Sequence, residues 1–227
     1  MRELKQLAML LSNRQIEAAS RFWGEGGWES EEIVQLKQVF PMCRDAIKVK
    51  AIVLNALYGT NIIAISQVAD CLERVLKTNH STSPDLVEEL VVEIREITKQ
   101  NNYSFAAKYA HFFINSDLPI LDSYAEWMVG KHLGSMKSVN SKRYLGFNED
   151  IETLKEAAGL TCNCAELDAY LWVAGEYWYW KAHPRTNING DLKFHFDRFA
   201  KAPESEGTLA LLLGIGVSDE NALAMPS

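Results

Sequence analysis

The sequence predicts an all-α domain. Apolar residues recur at helical spacing along most of the chain. Strand-type alternation never lasts beyond about four residues. Helix start and stop residues bracket the periodic segments. Residues 30–40 read as a helix capped by Ser30, with Ile33, Val34, Leu36 and Val39 on its apolar side and Pro41 as its stop. Residues 45–58 place Ile47, Ala51, Leu54 and Tyr58 on one face, and Gly59 ends that helix. The segment 64–77 repeats the pattern with Val68, Ala69, Leu72 and Val75.

The clearest start signal is Ser83-Pro84-Asp85. Serine suits the cap, proline the first helical position, and aspartate the positive end of the helix dipole. That helix runs through Leu86, Leu90, Val91, Ile94 and Ile97 to an exit at Asn101-Asn102. A short helix over 104–114 follows, then a turn at Asn115 to Pro119, then a helix from Asp122-Ser123 to Gly134. The polar stretch 135–146 reads as a loop, 148–158 as a helix, and 164–181 as a long helix capped by Thr161-Cys162-Asn163. Asn187 to Gly190 is a turn, and Leu209 to Leu213 a small apolar helix or strand. The expected organisation is a single helical domain over 1–227. It has a core at 40–200, N-terminal helices within 1–39 and a flexible tail at 217–227. One internal boundary near residue 140 would divide it into two lobes with a cleft between them.

Charge and motif content exclude several classes. The net charge of −7 argues against indiscriminate nucleic-acid binding. Two stretches run the other way. Residues 127–148 hold Lys131, Lys137, Lys142 and Arg143 with no acid, and residues 181–203 hold five basic residues against Asp191 and Asp197. No apolar run reaches the roughly 20 residues of a membrane span, and no signal-peptide cleavage site follows the N-terminus. Four cysteines in 227 residues form no disulfide framework, so a cytoplasmic protein with free thiols is expected. No P-loop, dinucleotide fingerprint or H-E-x-x-H motif is present. The lone Cys162-x-Cys164 lacks the paired spacing of a zinc site. Neither cofactor nor metal is expected.

Two features carry chemistry. The run Trp172, Tyr177, Trp178, Tyr179, Trp180 is dense in aromatic rings, and serves either core packing or stacking on a base or sugar. The second is the stretch 103–126. Lys108 sits inside an apolar, aromatic helix, and Asp122 opens the next helix beyond a proline turn. A lysine in such surroundings needs a carboxylate or a shifted proton equilibrium. Two readings stand side by side: a buried structural Lys–Asp pair, or a desolvated amine nucleophile with its carboxylate partner.

The residues Ser104-Phe-Ala-Ala-Lys108, His111-Phe-Phe and Leu118-Pro-Ile-Leu-Asp-Ser-Tyr124 resemble the helix–hairpin–helix DNA glycosylase superfamily. The resemblance is closest to divergent bacterial proteins with an 8-oxoguanine DNA glycosylase fold. Ile47 to Thr60 and Leu167 to Trp172 resemble that family's opening and closing core helices, so the resemblance covers about residues 40–180. It implies a two-lobed fold and an enzyme that excises a damaged or modified base from double-stranded DNA. Lys108 would be the nucleophile and Asp122 the catalytic carboxylate. Tyr58, Phe105, His111 and Trp172 would wall a base pocket. Ser104, Lys131, Lys142 and Arg143 would meet DNA phosphates. Ser104 and Ala106 stand where the family's hairpin carries glycines. The alternatives are a non-catalytic helical module with a protein partner, and an enzyme acting on free nucleosides.

Overall fold

A computed structural model describes residues 11–26, 31–39, 43–134, 143–183, 185–186 and 188–215. These residues form α1 (Asn13–Glu25), α2 (Glu31–Val39), α3 (Arg44–Tyr58), α4 (Ile65–Thr78), α5 (Pro84–Thr98), α6 (Tyr103–Phe113), α7 (Ser123–Leu133), α8 (Arg143–Ala158), α9 (Cys164–Ala182), α10 (Gly190–Lys201), a 3₁₀ turn (Pro203–Glu206) and α11 (Gly207–Leu213). No strand occurs among the described residues, so the all-α class holds. Ser30, Pro41, Lys137, Lys142 and the tail 217–227 lie outside the described residues.

The chain divides into two compact units. One comprises Glu29–Glu126 and Met136–Glu152; the other comprises Met1–Trp28, Trp127–Ser135 and Thr153–Ser227. The divisions fall inside α7 and α8 as well as in linking segments.

In the first unit, α3 packs on α4, α4 on α5 and α5 on α6. Its core is made of the periodic apolar positions: Ile47, Leu54, Val68, Leu72, Leu86, Leu90, Ile94 and Phe105 are all almost completely buried. Burial of each such side chain contributes about 1.5–3 kcal/mol relative to exposure. Pro84 occupies the first turn of α5 as expected, and Ser83 is its N-cap. The Ser83 hydroxyl, however, is engaged with Ser81 Oγ at 2.8 Å rather than with the helix amides. Lys99 closes α5 in the left-handed region at φ +56.

In the second unit, α1 packs on α9 and α11. Ile16, Ala19, Phe22, Leu209 and Leu212 are buried there, so the core reaches beyond residues 40–200. Asn163 and Glu166 form a reciprocal capping box that opens α9. Asn189 opens α10 by accepting the N–H groups of Asp191 and Leu192.

Two elements differ from the sequence expectation. Helix α10 replaces what reads as an undefined stretch after the Asn189-Gly190 turn. Helix α8 starts at Arg143, five residues before the expected start at Asn148. The cause is long-range: Glu88 Oε1 accepts the backbone N–H groups of Tyr144 at 2.6 Å and Leu145 at 3.3 Å. Its other oxygen accepts the Tyr103 hydroxyl at 2.9 Å. Burial, together with this bond, pushes the Tyr103 phenol up to about 12. A carboxylate from α5 therefore does the work of an N-cap on α8. Glu88→Ala is expected to destabilise the protein by about 1–3 kcal/mol, with Glu88→Gln keeping most of that stability. Urea unfolding of the two variants checks this, and equal midpoints would contradict it.

Candidate active site

Helix α6 is apolar nearly all round. Phe105 to His111 and Phe113 are buried, including the lysine and the histidine. Lys108 emerges among them with 6% of its surface exposed. Its ammonium nitrogen donates to Asp122 Oδ2 at 3.0 Å and to Ser104 Oγ at 3.0 Å, one turn earlier on the same helix. The Tyr58 ring centre lies 5.9 Å from Nζ. Tyr58 is itself stacked on Phe112, at 5.2 Å and 28°.

Asp122 reaches this position because the chain between the two helices is fixed. Asn115 Oδ1 accepts the Asp117 N–H at 3.0 Å and so forms the turn after α6. Leu118, Ile120 and Leu121 are buried, and the Tyr144 hydroxyl donates to the Pro119 carbonyl at 2.8 Å. Asp122 then caps α7. Its Oδ1 accepts the N–H groups of Tyr124 and Ala125, both at 3.0 Å. One carboxylate oxygen thus holds the helix start while the other faces the lysine. The pair is enclosed, with side-chain exposures of 7% for Lys108 and 13% for Asp122.

His111 serves this turn. Its Nδ1 lies 2.8 Å from the Leu118 carbonyl oxygen, which can only accept, so Nδ1 carries the proton. Burial pushes the imidazole's proton affinity down. The ring is neutral in the folded state near pH 7, whereas in the unfolded chain it protonates near pH 6.5. As the pH falls below about 6.5, the unfolded state binds the extra proton. Stability present above that pH is then lost, until the pH passes the depressed folded-state value. Thermal unfolding at pH 7 and pH 5 is expected to show this loss in the wild type and a smaller one in His111→Asn. The asparagine keeps an N–H for Leu118. Parallel behaviour of the two would contradict the assignment.

The remaining expected site residues fall in both compact units. Phe105 is a core residue at 1% exposure, packed 6.1 Å from Tyr109. Ser104 binds the lysine. Arg143 forms a two-pronged ion pair with Glu126, its Nε 3.0 Å from Oε1, and lies 5.7 Å over the Tyr103 ring. Trp172 and Lys131 belong to the other compact unit. There Trp172 meets Trp23 edge-to-face at 4.9 Å, and the Lys131 ammonium sits 4.9 Å over Trp127. The Cys162 thiol, at the start of α9, is pushed up by burial, which disfavours it as a nucleophile. Among the described residues, no group of three or more His, Cys, Asp or Glu side chains is placed to hold a metal ion. No described helix is long and apolar enough to cross a membrane.

One residue escapes sequence reasoning. Ile63 is 95% exposed, on a loop where Gly59 and Asn61 both have positive φ. Asn55 fastens that loop: its Oδ1 accepts from Thr60 Oγ1 at 2.8 Å and from the Ile62 N–H at 2.9 Å, and its Nδ2 donates to the Ile62 carbonyl at 3.1 Å. The available signal was two consecutive isoleucines after Gly-Thr-Asn. Ile62 is buried while Ile63, at a bend, is exposed.

Residues 30–118 match the HI_0787_N family model, described as an N-terminal domain. The matched segment runs from the start of α2 past Lys108 and ends before Asp122. It nearly coincides with the Glu29–Glu126 segment of the first compact unit. No curated protein and no solved structure gives a significant match.

Proposed function

We propose that this chain is a DNA glycosylase/lyase that flips a damaged or modified base and releases it through a Schiff base on Lys108. The observation that carries this reading is the enclosed Lys108–Asp122 pair, 3.0 Å apart, with Asp122 anchored on a helix start. The resemblance of residues 104–124 to helix–hairpin–helix glycosylases supports it. The two-lobed glycosylase architecture and a cytoplasmic location belong to the same proposal.

In this mechanism the lysine loses a proton to Asp122 and its nitrogen bonds to the sugar C1′. The C1′–base bond breaks, and the base leaves with the bonding electrons and takes up a proton. Ring opening converts O4′ to a hydroxyl and leaves an iminium between C1′ and Lys108. Loss of a C2′ proton then expels the 3′ phosphate by β-elimination. Asp122 passes the lysine proton to the departing base, and its restored carboxylate stabilises the positive charge on the sugar. Tyr58, on its Phe112 support, offers a ring to the flipped base. Ile63, exposed on the loop fastened by Asn55, enters the emptied stack as an apolar wedge.

The test is base release from duplex oligonucleotides bearing 8-oxoguanine or an alkylated base, followed chromatographically, together with nicking at an abasic site. Release or nicking on DNA supports the proposal. Turnover of free nucleosides without DNA would replace it with the small-substrate reading. Neither activity, with no DNA binding at low salt, would replace it with the non-catalytic module.

A further inference from the structure

The second basic stretch takes no part in the lysine chemistry, yet it forms a defined surface on the second compact unit. The Lys181 ammonium on α9 lies 5.3 Å from the Trp180 ring centre and 5.7 Å from that of Tyr177. Lys193, from α10, approaches the same indole at 6.0 Å. One turn of α10 also presents Phe194, 59% exposed, with the Arg198 guanidinium 5.6 Å from its ring centre.

Two of the three cations at this face are ion-paired among the described residues, and Lys181 is not. Lys193 pairs with Asp197 at 2.6 Å, and Arg198 with Glu206 at 3.0 Å. Lys181, Arg185 and Lys201 are exposed and carry no ion pair among the described residues. Residues 181–201 hold five basic and two acidic side chains in a chain whose net charge is −7.

We propose that the face formed by Trp180, Lys181, Lys193, Phe194 and Arg198 is a DNA-docking surface. The cations bind backbone phosphates, and the exposed phenylalanine ring stacks on an unpaired or frayed base. Cations interleaved with an exposed ring are the combination that recognises nucleic-acid strands. An acidic protein surface would use the cations but not the ring. The inference rests on DNA being the substrate, not on the role of Lys108.

The test is fluorescence anisotropy of the full chain on a labelled duplex with a single-stranded overhang, over a KCl series. The Lys181→Ala/Lys193→Ala double variant is expected to bind about tenfold more weakly at low salt. Its log Kd against log salt slope should be shallower by about 2 units. Phe194→Ala is expected to weaken binding of the overhang substrate several-fold, with no change in salt slope. If the wild type binds and the double variant is unchanged, this inference fails and the glycosylase reading stands. If the wild type binds no DNA, both fail. If polyglutamate binds as well as DNA and Phe194→Ala affects neither, the face is an acidic-polymer contact and the DNA assignment is overturned.

Discussion

Asp122→Ala is expected to destabilise the protein by about 3–5 kcal/mol, because it leaves the buried Lys108 without its carboxylate. The same substitution removes the acceptor for the Tyr124 and Ala125 N–H groups, a cap whose loss alone costs about 1 kcal/mol. Asp122→Asn separates the two jobs. Its one side-chain oxygen still caps α7, while the amide nitrogen that replaces Oδ2 cannot accept from Lys108, so only the capping share of the stability is kept. Catalysis falls steeply in either case. An amide cannot take the lysine proton and offers no negative charge to the developing sugar cation, so base release should drop about 10²–10³-fold. Denaturant unfolding gives the stability order and single-turnover base release gives the rates. An Asp122→Asn protein as unstable as Asp122→Ala would show that charge, not capping, dominates. Undiminished release would remove Asp122 from the chemistry.

Lys108→Ala should lower base release by at least about 10³-fold, since no neighbouring group can replace the nucleophile. The structural cost is smaller. Asp122 keeps its two backbone donors after the lysine is gone, and only Oδ2 loses its partner. A loss of about 1–3 kcal/mol is expected for that unpaired acceptor. The contrast with Asp122→Ala follows from position. Lys108 has only side-chain partners, whereas Asp122 is tied into the backbone. A Lys108→Ala protein that unfolds during purification yet releases base normally would reverse the assignment and leave a purely structural pair.

The pairing of Lys108 with Asp122 was legible in the sequence. A lysine among Phe, Ala and Tyr residues needs a partner, and a proline turn returns the chain to supply one. The helices of the first unit were legible for a similar reason: Ile47, Leu54, Val68, Leu72, Leu86 and Ile94 repeat at helical spacing and all are buried. What escaped depends on contacts far apart in sequence. The start of α8 is set by Glu88, 56 residues from Tyr144, and no local signal marks it. Helix α10 begins at a turn whose Asn189 is also its cap. Ser104 was read as a phosphate contact because of where it falls in the family pattern. Its spacing of four residues from Lys108 on one helix already placed the two together.

The most direct measurement is borohydride trapping on a duplex carrying an abasic site, followed by peptide mapping of the covalent product. Hydride reduces the lysine–sugar imine to a stable amine and marks the residue that formed it. The account predicts a protein–DNA adduct on the peptide containing Lys108, and no adduct with Lys108→Ala. An adduct mapped to another lysine, such as the buried Lys50, or one of equal yield in Lys108→Ala, would contradict it.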